Sequence, residues 1–258
     1  MTKPDKYTTE QITYLHKWTD HLFSFRTTRN ESFKFIPGQF ARLGVDKEDG
    51  TVVWRPYSVV SADYDEELEF YSIIVPDGEF TQRLKNLNVG DKIYIDKTNY
   101  GLLTTDRFEK GKNLWFLSTG TGLAPFISIM YDFTIWEQYK KVILVHCVRT
   151  KEELAYQDLI NGFFTHEYYA DMVKDKLIYV KIITREDNGA DLYGRITELL
   201  KNNKLEQYVN TPITVSDSRI MICGNPEMVD ETRHILAERG LAISRRGKPG
   251  NMAVENYW

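Results

Sequence analysis

Residues 114–125 read Leu114-Trp115-Phe116-Leu117-Ser118-Thr119-Gly120-Thr121-Gly122-Leu123-Ala124-Pro125, and their order decides the fold. A continuous apolar run is followed by a Gly-rich turn and then by a segment of helical spacing. Pro125 stands at a first-turn position that a helix tolerates well. An unbroken apolar run is what a strand needs when helices cover both faces of its sheet. The pattern recurs downstream. Val142-Ile143-Leu144-Val145, Leu177 to Ile183 and Arg219-Ile220-Met221-Ile222 are further strands of this kind. Helices are expected from Pro125 to about Tyr139, from about Lys151 onward, over Ile196 to Tyr208 and over Pro226 to Arg239. Strands alternating with helices predict a parallel sheet in an α/β domain.

Upstream the texture is different. Leu22 to Thr27, Thr51 to Tyr57 and Leu68 to Val75 alternate in polarity, and Asp91 to Asp96 adds another short strand. Pro37-Gly38, Asp49-Gly50, Asp77-Gly78 and Gly90-Asp91 punctuate them. Short strands separated by turn signals, with little helical periodicity, predict an antiparallel barrel. The polar stretch Asp106 to Lys112 marks the change, so two domains are expected, 1–106 and 107–258.

Composition narrows the function classes. The 258-residue chain carries a formal net charge of −4, which argues against a general nucleic-acid binder. Its longest apolar runs are far shorter than the roughly 20 residues of a membrane span. Met1-Thr2-Lys3-Pro4 leads into no hydrophobic stretch, so no secretory signal is expected. Two cysteines, Cys147 and Cys223, are too few for a disulfide framework or a zinc site, and no metal is expected. These readings point to a soluble, cytoplasmic protein, expected to be a monomer.

The turn Gly120-Thr121-Gly122 lies where glycines let a backbone approach a pyrophosphate and a helix start supplies N–H groups. It lacks the full G-x-G-x-x-G spacing, and a simple tight turn is the other reading. The second strand ends in Arg149 rather than in the carboxylate that would read a ribose hydroxyl. Arg185 follows the third strand, and Arg195 follows Tyr193-Gly194. Guanidinium groups at the C-terminal ends of such strands suit a phosphate, which points to the 2′-phosphate of NADPH; solvated surface arginines are the alternative. Cys223-Gly224-Asn225-Pro226 lies where the next strand meets its helix, Gly224 permitting close approach and Cys223 being small enough to sit beside a nicotinamide. A buried structural cysteine is equally consistent, and Cys147 reads as core. In the first domain, Arg55-Pro56-Tyr57-Ser58 joins a phosphate-binding cation, a flat ring and a hydroxyl. Alternation places Arg55 and Tyr57 on one face, and Pro56 redirects Ser58. Pro76-Asp77-Gly78-Glu79-Phe80-Thr81 reads as a turn entering a short helix through Leu84, whose backbone amides suit a diphosphate.

Taken in order, Arg55-Pro56-Tyr57-Ser58, Val75-Pro76-Asp77-Gly78 with Thr81 and Leu84, Gly120-Thr121-Gly122 with Ala124-Pro125, Cys223-Gly224-Asn225-Pro226 and Val254-Glu255-Asn256-Tyr257-Trp258 resemble the ferredoxin–NADP reductase family, in its bacterial ferredoxin/flavodoxin branch. The resemblance covers about residues 20–258. It implies a Greek-key barrel carrying FAD and an α/β domain carrying NADP(H). Arg55 would hold the FAD diphosphate with Glu79, Phe80 and Thr81, mainly through their backbone. Tyr57 would stack on the isoalloxazine, with Pro56, Ser58, Tyr71 and Thr121 around it. Tyr257 would cover the other flavin face, and Trp258 the adenine. Arg149, Thr150, Thr184, Arg185, Arg195, Gly224, Asn225 and Met228 would hold NADP(H), with Ser58, Cys223 and Glu255 as catalytic residues. Hydride transfer between NADP(H) and FAD, then single electrons to ferredoxin or flavodoxin, is the implied activity. Those acidic carriers would meet a basic patch at Ser244-Arg245-Arg246-Gly247-Lys248, helped by Arg42. A free-flavin reductase, an oxygenase reductase component and a non-catalytic electron-transfer subunit share the architecture. The last normally adds a cysteine cluster, which is absent after Cys223.

Overall fold

A computed structural model of the chain describes residues 6–245 and 247–256. Six strands form the first sheet: β1 (Tyr7–Lys17), β2 (Leu22–Thr28), β3 (Phe40–Asp46), β4 (Val52–Ser58), β5 (Glu67–Ile73) and β6 (Lys92–Tyr100). Their order is β4-β3-β6-β1-β2-β5, every pair is antiparallel, and a Val59–Phe70 bridge joins the two ends into a barrel. Two of these strands, β1 and β3, go beyond the four that alternation predicts. In the first half of β1 only Glu10 and Ile12 are buried, so no apolar stripe announces it; ladders to β2 and β6 hold it in place. In β3 the apolar positions are interrupted by Arg42 and Gly44. Helix α1 (Glu79–Leu84) sends Phe80 and Leu84 into the barrel core beside Phe25, Leu43 and Ile93.

The second sheet consists of β7 (Asn113–Thr119), β8 (Lys141–Val148), β9 (Leu177–Ile183), β10 (Leu192–Tyr193), β11 (Ser218–Gly224) and β12 (Met252–Asn256). Its order is β10-β9-β8-β7-β11-β12, and all pairs are parallel. Both faces are packed. Phe116 and Leu144 join Phe126 and Trp136 on one side, and Trp115 and Ile143 join Leu199 and Leu236 on the other, as strand alternation requires. The outer edge at β9 is closed by Asp191, whose carboxylate accepts the Lys181 N–H at 2.8 Å and whose own N–H donates to the Lys181 carbonyl at 3.0 Å.

Helices α2 (Ala124–Met130), α3 (Phe133–Gln138), α4 (Gln157–Gly162), α5 (Ala170–Val173), α6 (Ile196–Lys201), α7 (Lys204–Tyr208) and α8 (Pro226–Glu238) fill the connections. The helix expected over 125–139 breaks before α3, where Asp132 caps a new start by accepting the Thr134 N–H at 2.9 Å. The one expected over 196–208 breaks at Asn203, which has φ +58°. The segment after Lys151 is a 3₁₀ turn followed by Tyr156 in the left-handed region, and only then α4. The barrel's Leu22, Val60, Tyr71 and Leu103 pack with Leu123, Phe126 and Tyr156, so one core runs across the domain seam. Among the described residues, no helix is long and apolar enough to cross a membrane.

Candidate functional site at the domain seam

Strand β7 lies between β8 and β11, so the connections leave it in opposite directions. At such a switch point the strand ends diverge, and a crevice opens beyond them. Here a cleft of about 840 Å³ is found, with Thr119, Gly120, Thr121 and Gly224 at its floor and Leu22 and Ile73 of the barrel at its lip. The glycines divide the work. Gly120 has φ +53° and nothing within 4 Å of where a Cβ would stand, so its face is open. Gly122 faces protein: a Cβ there would lie 2.3 Å from the Cys223 carbonyl oxygen. Gly224 is its counterpart, with φ +136° and a would-be Cβ 2.2 Å from Thr119 Oγ1. The two loops are stitched by the Asn225 N–H, which donates to Thr119 Oγ1 at 2.9 Å.

The arginines line the side wall. Arg149 leaves the end of β8 and Arg185 follows β9, their loops joined by the Arg185 N–H on the Arg149 carbonyl at 2.9 Å. Arg195 precedes α6. All three side chains are exposed and border the cleft with Thr184 and Met228. Among the described residues none of the three forms an ion pair, whereas Arg26, Arg83 and Arg239 are each spent on a glutamate. Thr150, expected beside them, is not among the residues lining the cleft; its carbonyl instead accepts the Glu153 N–H in the following turn. Asn225 borders the cleft but has a structural duty too, its Oδ1 capping α8 through the Glu227 and Met228 N–H groups at 3.0 and 3.2 Å. Sequence reading missed the cleft's acidic members. Glu153 accepts the Arg149 N–H, Glu198 the Arg195 N–H, and Glu231 is held by Lys201 at 2.6 Å. Lone glutamates on helical stretches gave no signal for this.

Across the seam, β4 presents the barrel tetrapeptide. Cross-strand pairing sets Arg55 opposite Leu43 and Tyr57 opposite Ala41, so the two share one face as expected, while Trp54 and Pro56 take the other. The Tyr57 ring packs at 5.4 Å from Phe80, and its hydroxyl pairs with Ser72 Oγ at 2.9 Å. Burial pushes that phenol up to about 12. Arg55 is exposed, its guanidinium donating only to the neighbouring Trp54 carbonyl at 2.8 Å among the described residues. The α1 start is tied down by Lys47 to Glu79 at 3.2 Å, and by Thr81 Oγ1 accepting the Val75 N–H at 3.0 Å. Thr81 and Phe80 thus turn their side chains inward, while Glu79 stays exposed. Tyr71 is different. Its neighbour Ser72 meets Tyr57, so alternation turns Tyr71 to the other face, where its ring meets Tyr156 edge-on at 5.1 Å. The structure therefore places the Tyr71 side chain in the interdomain core, away from the face carrying Tyr57.

Ser58, Cys223 and Glu255 come from three strands. Cys223 pairs with Ser118 of β7 and with Glu255 of β12, and Ser58 pairs with Phe40 of β3. Glu255 and the cross-strand partner of Ser58 both approach Gly101: a Cβ there would stand 2.9 Å from Glu255 Oε2 and 3.0 Å from the Phe40 ring. Cys147 lines the cleft but is buried, which pushes its thiol up to about 12 and keeps it unreactive. Arg42, expected to help a basic patch, lies over Trp54 at 5.8 Å and beside Asp96 at 4.0 Å. Arg245 and Lys248 are exposed on one hairpin turn. Tyr257, Trp258 and Arg246 lie outside the described residues.

Comparison with known proteins agrees with this architecture. Residues 15–101 match the oxidoreductase FAD-binding domain and residues 116–234 the oxidoreductase NAD-binding domain. A ferredoxin–NADP reductase of Pseudomonas aeruginosa is 46% identical over 250 residues, covering 96% of each chain. The chain belongs to the ferredoxin–NADP reductase family. It is an oxidoreductase, with the barrel as its FAD-binding domain and the parallel-sheet domain as its nucleotide-binding one. Another family member, the flavodoxin/ferredoxin–NADP reductase of Buchnera aphidicola (strain Bp), is 37% identical, covering 97% of this chain and 98% of its own. The crystal structure of a Neisseria gonorrhoeae ferredoxin NADP+ reductase with bound FAD and NADP superposes with a TM-score of 0.91 at 39% identity, covering 98% of this chain and all of that one.

Proposed function

We propose that this reductase exchanges a hydride between NADP(H) and FAD and passes single electrons to or from ferredoxin or flavodoxin. The observation that carries the nucleotide half is the trio Arg149, Arg185 and Arg195, none of them in an ion pair among the described residues and all bordering the switch-point cleft. Three exposed guanidinium groups fit a phosphate monoester by forked, charge-assisted hydrogen bonds. The flavin half rests on Arg55, Tyr57 and the first turn of α1. That turn offers N–H groups without intrahelical partners, next to a cation and a ring already seated by Ser72 and Phe80. These residues fit FAD. When bound, the flavin accepts the hydride and hands electrons on one at a time, chemistry the side chains cannot supply.

The protein's own contribution is placement. The open face of Gly120 lets the nicotinamide end approach the backbone, and the fully buried Cys223 sets its carbonyl behind Gly122. Glu255, beside Gly101, and Ser58 are the polar groups proposed nearest the reacting atoms. The domain boundary is taken near residue 106, in the 3₁₀ turn Thr105–Arg107. The Arg245–Lys248 turn is the proposed landing point for an acidic carrier, and the protein is read as a cytoplasmic monomer. The purified chain is expected to be yellow and to bleach anaerobically with NADPH at far lower concentration than with NADH. Replacing Arg185 and Arg195 together by Ala is expected to raise KM for NADPH by at least about tenfold and to leave that for NADH nearly unchanged. Equal effects on both nucleotides would refute the phosphate assignment, and a colourless chain the flavin one.

A further inference from the structure

Residues 149–157 touch both halves of the molecule. At one end Arg149 borders the nucleotide cleft and its N–H donates to Glu153 Oε2 at 2.9 Å. Glu153 Oε1 reaches across the seam to His21 Nε2 of the barrel at 3.2 Å. At the other end stands Tyr156, with φ 61° and ψ 13°. A side chain with a Cβ adopts this left-handed conformation only where its surroundings over-determine it.

Those surroundings are on the barrel. The Tyr156 ring is buried, edge-on to Tyr71 at 5.1 Å and tilted against Trp18 at 4.9 Å. Its hydroxyl donates to Glu69 Oε1 at 2.8 Å, and Glu69 Oε2 in turn accepts from Arg26 Nε at 2.8 Å. Burial and the adjoining carboxylate hold the phenol well above its ordinary range, so it remains a donor. A glycine would relax the backbone at this position but would surrender every cross-seam contact that the Tyr156 side chain makes.

We infer that Tyr156 is a positioning residue for hydride transfer, clamping the loop that carries Arg149 onto β5 and so fixing the nucleotide cleft against the flavin-bearing barrel. The inference rests on the reading of the site as a nicotinamide–flavin junction. Tyr156 lies on the same loop as a nucleotide-wall arginine, and its hydroxyl and ring partners Glu69, Trp18 and Tyr71 are in the other domain. Reacting centres tolerate little misplacement, so a slack seam slows transfer even while both ligands stay bound.

The test uses the FAD-loaded full chain with Tyr156→Phe, Glu69→Leu and the double variant. Each is measured for FAD content, for affinity toward adenosine 2′,5′-bisphosphate (a phosphate-bearing probe without nicotinamide), for anaerobic single-turnover reduction by NADPH, and for amide hydrogen exchange. Expected are retained FAD, probe affinity within about twofold, and reduction slowed about tenfold in each single variant, the double being no slower than either. In the parent chain the bound probe protects amides in β5 as well as around Arg149; in Tyr156→Phe the β5 protection disappears. Unchanged reduction overturns the inference. So does additive slowing, or a loss of FAD or probe binding that accounts for the whole rate effect, which would mark Tyr156 as structural only. If the parent chain itself is not reduced by NADPH, the functional reading fails instead, and the exchange comparison still decides whether the clamp exists.

Discussion

Gly120 and Gly122 stand in one turn and answer to different constraints. Gly120 is needed for its backbone angle and faces open space, while Gly122 is needed because β11 passes behind it. An alanine at 120 meets only the left-handed penalty, about 1 kcal/mol. At 122 the new methyl would collide with backbone that has no rotamer to adopt, and overpacking of that kind costs about 2–3 kcal/mol. Urea unfolding of Gly120→Ala and Gly122→Ala is therefore expected to show the larger loss for the second. The glycines were legible in the sequence as a nucleotide turn, since strand, turn and helix followed one another. That one of them serves protein packing was not, because its neighbour Cys223 is distant in the chain. The direction of the Tyr71 side chain was not legible for a related reason: it depends on a strand register that the Tyr57–Ser72 contact reveals.

At the scale of elements, α8 depends on the residue that precedes it. Asn225 Oδ1 takes two orphan N–H groups, and Pro226 follows at the favoured position. Asn225→Ala is expected to cost about 1 kcal/mol in thermal or urea unfolding, and Asn225→Asp to keep most of it, with the helix spectrum intact in both. Element legibility followed apolar content. β7, β8 and β11 are buried throughout or nearly so and β9 has no exposed residue, and their runs stood out. β1 and β12 were not seen as strands, because each buries only two residues and long-range ladders place it. The helix breaks at Asp132 and Asn203 lie inside continuous apolar spacing, where a cap or a left-handed residue, not periodicity, sets the end.

Across the whole molecule, the acid side of the stability profile should bear the mark of His146. It is fully buried on β8, with Nδ1 against the Tyr179 hydroxyl at 3.1 Å, and burial holds it down to about 3. The unfolded chain takes up this proton near pH 6.5, well before the folded one. Its contribution is therefore fully present above pH 6.5 and is lost as pH falls from there toward 3, at up to about 1.4 kcal/mol per pH unit. Urea unfolding at pH 7.5, 6 and 5 is expected to show a steeper loss for the parent than for His146→Leu; parallel slopes would contradict it. The division into barrel and α/β halves was written in the change of sequence texture, whereas the seam was not, since Tyr156 and Glu69 carry no local motif. One modest feature bears on how such a molecule survives at high concentration. Asp191 occupies the backbone of Lys181 at the outer side of β9, where β10 supplies only two paired residues. An unprotected strand there would be a template for another chain's strand. A carboxylate in the slot, beside a lysine, makes that docking costly, so crowding and transient opening are less able to recruit the sheet into aggregates.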